Sequence, residues 1–284
     1  MMAEARSDKK IGLALSGGGA RGLAHIGVLK VLEEAHVPID YISSTSMGSI
    51  IGAGYAYGIS PAELETTALR FSHIRQMVRM VDLAGGRRGL LAGKNVKSFL
   101  SEILGAETQF SDLRIPLAIC SVDLDKGTEQ VFTKGNVLDA VMASIAVPGI
   151  FTPQVVDEHN LVDGGVMNNL PVDHLRALGA EFVIAVDVMH HDFSQLGITN
   201  RTTPFAITPT ITFQEVYRYV AMMISEMTRL RLTLDSPDIL IQPEIPNDLY
   251  AFGGFNRPNE AIKAGEDAAK RSLPDIINAL VLPG

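Results

Sequence analysis

The chain has 284 residues, 46% of them hydrophobic, and a formal net charge of −8. That apolar content supports a sizeable core and excludes disorder, while the acidic balance argues against nucleic acid as a partner. The single cysteine, Cys120, excludes an intrachain disulfide and reads as a reduced core thiol of a cytoplasmic protein. Residues 1–10 are polar and lack a secretory apolar stretch, and no apolar run approaches membrane-spanning length.

From Lys10 to Ser16 the chain is nearly continuously apolar, as expected of a strand buried on both faces of a parallel sheet. It runs into Gly17-Gly18-Gly19-Ala20-Arg21-Gly22 and then a helix with Leu23, Ile26, Val28, Leu29 and Leu32 on its apolar side. The glycines also satisfy G-x-G-x-x-G. A dinucleotide fold, however, wants an acid at the end of the second strand, and here that strand ends in Ser43-Ser44. An amide-rich turn opening a helix serves equally well as an oxyanion hole.

After the strand Ile39–Ile42, Ser44-Thr45-Ser46-Met47-Gly48 reads as a nucleophile elbow. Ser46 is the candidate nucleophile, and the small-residue helix behind it aims its N-terminal amides at the serine. The match departs from G-x-S-x-G at one place, where Ser44 replaces the leading glycine. Ser60-Pro61-Ala62-Glu63 then opens a helix, and Asn95–Leu104 forms another that Gly105 stops.

Two hairpins are expected around Asp125-Lys126-Gly127 and Asp157–Asn160, with a helix over Asn136–Ala146 between them. Asp163-Gly164-Gly165 follows the second hairpin. Further on come a helix over Val172–Leu178, a strand over Phe182–Val188 and a loop over Asp192–Pro209. Phe213, Val216, Tyr217, Val220, Ile224, Met227 and Leu230 recur at helical spacing, and the expectation is that this stripe packs into the core. A late strand, Ile239–Ile241, precedes closing helices over Asn259–Leu282 that are expected to break at Pro274.

The glycine turn, the elbow and Asp-Gly-Gly occur in that order, with Ala143-Ser144-Ile145-Ala146-Val147-Pro148-Gly149-Ile150-Phe151-Thr152-Pro153 ahead of the aspartate. Together they resemble the patatin-like phospholipases over about Ile11 to Leu178. The resemblance implies a single α/β domain with a central, mostly parallel sheet flanked by helices. A flexible N-terminus (1–10) would precede the catalytic core (11–178), and 179–284 would complete the same domain. It also implies a serine acyl hydrolase acting on phospholipid or lysophospholipid esters, without cofactor or metal. Ser46 would be the nucleophile, Asp163 the base, and Gly17, Gly18, Gly19, Arg21 and Gly22 the oxyanion turn. Ser44 and Gly48 would frame the elbow, and Gly164 and Gly165 the aspartate motif.

Two other readings stay open. A Ser–Asp–His triad would take its third member from His174, His190 or His191. A non-catalytic lipid or nucleotide binder would keep the scaffold without the chemistry. Between Arg70 and Lys97 lie seven basic residues and one acid, with Ile74, Met77, Val78 and Val81 at helical spacing, so peripheral membrane contact is expected there.

Overall fold

The structure, a computed structural model, describes residues 9–72, 91–189, 213–249, 251 and 254–281. The elements in chain order are β1 (Ile11–Leu15), α1 (Ala24–Glu34), β2 (Tyr41–Thr45), α2 (Met47–Tyr57), α3 (Pro61–Phe71) and α4 (Lys94–Leu104). They continue with β3 (Leu117–Asp123), β4 (Thr128–Phe132), α5 (Val137–Ser144), β5 (Gln154–Val156), β6 (His159–Asp163) and α6 (Val172–Leu178). β7 (Phe182–Val186), α7 (Phe213–Leu234), β8 (Ile239–Ile241) and α8 (Pro258–Val281) complete the described elements.

All eight strands form one mixed sheet in the order β5-β6-β3-β2-β1-β7-β8, with β4 on β3. β1 pairs in parallel with β2 and β7, β2 with β3, and β7 with β8. β4, β5 and β6 enter through antiparallel pairs. The expected α/β sheet is therefore present, with an antiparallel margin made by the two hairpins.

Alternation along the strands sorts the two faces. Ile11, Leu13, Leu15, Ile42, Ile119, Ile184 and Val186 join the main core with residues of α1, α2, α5 and α8. Ala14, Val183 and Ala185 face the other way, against Leu170, Val172 and Leu175 of the α6 region. That second layer is thin because its strand residues are small. A Cβ at Gly12 would lie 2.8 Å from Ala180 Cβ.

Register decides where Ser46 and Asp163 lie. A strand has only two edges, and β4 pairs with β3 from Ile119 to Asp123 along one of them. β2 holds the other edge as far as Thr45, opposite Cys120. β6 takes over that same edge with Asp163 opposite Ser121. Ser46 and Asp163 thus meet head to head where one strand replaces the other. The β5–β6 hairpin that delivers Asp163 turns through Asp157 (φ 47°) and Glu158 (φ 67°), the positive-φ pair that a two-residue turn requires.

Two expectations need correction. α8 runs through Pro274 without a break. The proline removes one helical hydrogen bond, but Ile276 and Leu280 beyond it are buried in the core and hold the last turns in place. In the described part of the α7 stripe, Val220, Met227 and Leu230 are exposed and Ile224 is half-buried, while Ala221, Ser225 and Thr228 are the buried positions. The expected loop at 192–209 lies outside the described residues.

α1 and α8 cross at two glycines. A Cβ at Gly27 would sit 2.0 Å from the Ile262 carbonyl oxygen, and one at Gly265 would sit 1.9 Å from that of Ala24. Gly27→Ala must push the helices apart and lower stability by about 2–3 kcal/mol, read as a fall in thermal midpoint with the secondary structure retained.

Candidate active site

β2 leaves the sheet at Thr45, and α2 begins at Met47, so one residue makes the whole turn. That residue is Ser46, held at φ 53° and ψ −123° as the N-cap of α2. An L residue rarely adopts such a conformation, so the surroundings must hold it. The Ser46 amide donates to Ser144 Oγ at 2.8 Å, and the Ser144 hydroxyl donates to the Cys120 carbonyl at 2.7 Å. From the other side, Ser49 Oγ donates to the Ser46 carbonyl at 2.6 Å. Gly48 is required by close approach, since a Cβ there would lie 2.4 Å from the Leu15 carbonyl oxygen.

Ser44 is fully buried on the α2 side of β2. The helix opposite carries Gly52, whose missing side chain leaves Ser44 its space: a Cβ at Gly52 would lie 3.4 Å from both Ser44 Cβ and Oγ. The departure from the elbow pattern is therefore absorbed by a glycine two turns of chain away.

Asp163 is 5% exposed, with the Ser46 side chain close enough to favour its charged form. Burial pushes its carboxyl up from 3.8 to about 6, against the lowering bonds from the Ser46 hydroxyl and the Gly165 amide. That amide donates to Asp163 Oδ1 at 2.7 Å, and the Asp163 amide donates to the Ala146 carbonyl at 3.0 Å. Gly164 lies against β3, where a Cβ would come within 2.4 Å of the Cys120 carbonyl oxygen.

The glycine turn flanks the serine. A Cβ on Gly17 would lie 3.0 Å from Ser46 Cβ and 2.5 Å from Asn169 Oδ1. Two of its expected donors are engaged elsewhere: the Gly17 amide donates to the Asn169 carbonyl at 3.1 Å and the Arg21 amide to the Gly18 carbonyl at 3.2 Å. Arg21 turns its guanidinium away from the serine, with Nε donating to the Val188 carbonyl at 2.8 Å. Gly22 packs on Met47, at 2.4 Å from its Cγ to a Cβ built there. Gly18 and Gly19 are left as the turn's candidate donors.

Behind the turn, His25 is fully buried and donates from Nε2 to the Ser16 carbonyl at 2.8 Å. Burial pushes its pKa down to about 4, so the ring is neutral and holds the turn in place. His174 reaches neither dyad member. Its Nε2 lies 3.0 Å from Glu129 Oε2 and 3.4 Å from Asn168 Nδ2, on the α6 side of the sheet. His190 and His191 lie outside the described residues. So does most of the basic segment, residues 73–90; of its cations, Lys97 pairs with Asp139 at 2.7 Å.

Sequence reasoning passed over Ser144, Asn168, Asn169 and Glu129. Asn168 and Asn169 tie three motifs together. The Asn168 carbonyl accepts from Thr45 Oγ1 at 2.8 Å, its amide donates to the Gly164 carbonyl at 2.8 Å, and Asn169 holds Gly17. The run Asn168-Asn169 so soon after Asp-Gly-Gly was the available signal.

Cys120, Glu129 and His174 offer ligand atoms within 4.8 Å of one another. Arg231 already supplies the cation there, pairing with Glu129 and lying 3.5 Å from Asp173. Burial and the nearby Glu129 push the Cys120 thiol well above its usual range.

A model of the family described as "Patatin-like phospholipase" matches residues 13–176. The chain belongs to the patatin-like phospholipase family. Among curated relatives, a protein named lysophospholipase nte1 from Aspergillus fumigatus is 30% identical over 289 residues, covering 97% of this chain and 19% of its own length. Patatin-like phospholipase domain-containing protein 6 of Mus musculus is 36% identical over 199 residues, covering 69% of this chain and 15% of its own. The chain thus spans about a fifth or less of these relatives. The patatin-like fold is also that of VipD from Legionella pneumophila, with a TM-score of 0.52 at 13% identity, covering 95% of this chain and 67% of that one.

Ser144→Ala leaves the Ser46 amide without its acceptor. Stability should fall by about 1–3 kcal/mol. Loss of elbow geometry should lower kcat by roughly tenfold or more with KM little changed, as steady-state kinetics on a soluble ester would read.

Proposed function

We propose that this protein hydrolyses the carboxylic ester of a lipid, a lysophospholipid or phospholipid, through a Ser46–Asp163 dyad and an acyl-enzyme. The observation that carries the reading is the meeting of a strained serine at the end of β2 and a buried aspartate at the end of β6, on adjacent register positions of β3, with the aspartate lifted to about 6. An ordinary carboxylate is a weak base at neutral pH, and burial brings this one toward the range in which it can take a serine proton. The printed names of the curated relatives, lysophospholipase among them, support the lipid class.

In the first half-reaction Ser46 Oγ attacks the ester carbonyl carbon and its proton passes to Asp163. The tetrahedral oxyanion is held by amides of the glycine turn, Gly18 and Gly19, and by the N-terminal amides of α2. Collapse breaks the bond to the alcohol, which leaves with the proton from Asp163. Water then adds to the acyl carbon, again giving its proton to Asp163, and the second collapse releases the fatty acid and restores the Ser46 hydroxyl. Among the described histidines, His25 is neutral behind the turn and His174 is bonded to Glu129, so neither takes the serine proton.

Ser46→Ala and Asp163→Asn should each abolish hydrolysis of lysophosphatidylcholine and of a short activated ester while the fold is kept, and Ser46→Ala should lose labelling by a fluorophosphonate. Substantial turnover by either variant would overturn the dyad. The base must be ionised, so kcat/KM should fall about tenfold per pH unit below about 6 and level off above it.

The same shift sets a stability test. The folded pKa of about 6 lies above the ordinary 3.8, so the folded state binds the proton more tightly. The carboxyl therefore disturbs folding least below pH 4, and stability is lost as pH rises from about 4 to about 6, by roughly 3 kcal/mol. Asp163→Asn should accordingly raise the thermal midpoint at pH 8 and leave it little changed near pH 4.

A further inference from the structure

Gly17, Gly18 and Gly19 are glycines because nothing larger fits. Beyond the contacts at Gly17, a Cβ at Gly18 would lie 2.6 Å from Val188 Cγ2, and one at Gly19 would lie 2.4 Å from the Ala251 carbonyl oxygen. Close packing therefore forces on the turn the residues that restrain their own backbone least. The Gly17–Gly18 peptide is free to turn over unless something outside the turn holds it. In one orientation it offers the Gly18 N–H to an oxyanion; in the other it offers the Gly17 carbonyl oxygen, which repels one.

The preceding peptide is pinned on both sides. Its N–H, on Gly17, donates to the Asn169 carbonyl at 3.1 Å, and its C=O, on Ser16, accepts from His25 Nε2 at 2.8 Å. The Gly17–Gly18 peptide has a single holder, the Asn169 side chain, whose Nδ2 donates to the Gly17 carbonyl at 3.4 Å. A trans peptide points its C=O and N–H in opposite directions. A Gly17 carbonyl held on Asn169 thus sends the Gly18 N–H to the other side, where it finds no acceptor among the described residues.

Asn169 is a fixed post for this purpose. It is buried, and the carbonyls flanking it are held by two hydroxyls of β2: Thr45 Oγ1 donates to that of Asn168 at 2.8 Å and Ser43 Oγ to that of Pro171 at 2.7 Å. Residues two apart share one face of a strand, so β2 grips the segment from a single side. The carboxamide also borders the aspartate motif, since a Cβ at Gly165 would lie 2.8 Å from Asn169 Oδ1 and 3.0 Å from Asp163 Oδ1.

We propose that Asn169 is a positioning residue for the hydrolysis, its side-chain amide locking the Gly17–Gly18 peptide so that the Gly18 N–H faces the oxyanion. The proposal rests on the functional reading above and adds the residue that presets the hole. Asn169→Ala keeps the backbone bond to the Gly17 amide and removes the only hold on the next peptide. The ground-state ester carries no oxyanion, so the loss falls on the transition state.

The test takes the full-length protein, a short activated ester and two ketones of the same acyl chain. With a trifluoromethyl ketone, Ser46 Oγ bonds to the carbonyl carbon, its proton passes to Asp163, and the carbonyl electron pair moves onto the oxygen, which becomes the oxyanion. The matching methyl ketone fills the same site with far less tendency to add. In Asn169→Ala, kcat should fall roughly 10²-fold, and the Ki of the trifluoromethyl ketone should rise by a similar factor. KM and the Ki of the methyl ketone should stay within about threefold. A Ki does not depend on how much of the enzyme is folded, so lost stability alone leaves both unmoved. Asn169→Asp keeps the shape and removes the donor, and it should raise the same Ki even where Asn169→Ala fails to fold. Wild-type values in a variant would overturn the proposal. So would a lower kcat with the trifluoromethyl ketone's Ki unchanged, or an equal rise for both ketones, which would make Asn169 a wall of the acyl pocket. A wild-type protein that neither cleaves the ester nor prefers the trifluoromethyl ketone would overturn the dyad itself, and this proposal with it.

Discussion

An ionisable carboxyl buried without a cation is the constraint around which this site is built. Asp163 receives a hydroxyl from Ser46 and an amide from Gly165, both neutral donors, and they do not repay its loss of water. The fold tolerates this because the surrounding backbone is over-determined. The Cys120 carbonyl takes the Ser144 hydroxyl, that same hydroxyl takes the Ser46 amide, and the Asp163 amide is held by Ala146. Neither Ser46 nor Asp163 can relax away from the other without breaking bonds inside the core.

Sheet topology makes this arrangement economical. Many α/β sites gather residues from several loops, each with its own freedom. Here β2 and β6 share one edge of β3, so the separation of Ser46 and Asp163 follows from adjacent register positions, Cys120 and Ser121. Strand pairing is cooperative and buried, and it positions these two residues more rigidly than loops could.

Local chemistry explains what could be read from the chain. The strand-turn-helix signatures at Gly17–Gly22 and Ser46 depend on residues within a few positions of one another, and so does the Asp-Gly-Gly turn. The strands expected within Lys10–Ser16 and at Ile239–Ile241, and the hairpin expected around Asp125-Lys126-Gly127, are present for the same reason. What could not be read depends on long-range partners. Arg231 meets Glu129 across 102 positions, and Ser144 meets Ser46 across 98. The α7 stripe shows a further limit: helical periodicity reports that one face is apolar, but not whether that face looks inward. The small residues Ala221 and Ser225, off that stripe, mark the inner face of the helix, and their size, not their hydrophobicity, is the clue.

Two kinds of polar burial stand side by side across the sheet, and their contrast explains which one is reactive. Burial pushes Glu129 upward, yet bonds from His174 and Asn168 and the charge of Arg231 hold it at about 2. Glu129 is bridged to His174 and Arg231, and Arg231 reaches Asp173 as well, so the cluster joins α6, α7 and β4 as a network of paired charges. Asp163 has no cation among its determinants and stays near 6. A cation beside Asp163 would stabilise the fold and weaken the base in the same stroke. The molecule keeps its arginine on the far face of the sheet and leaves the aspartate next to serine alone.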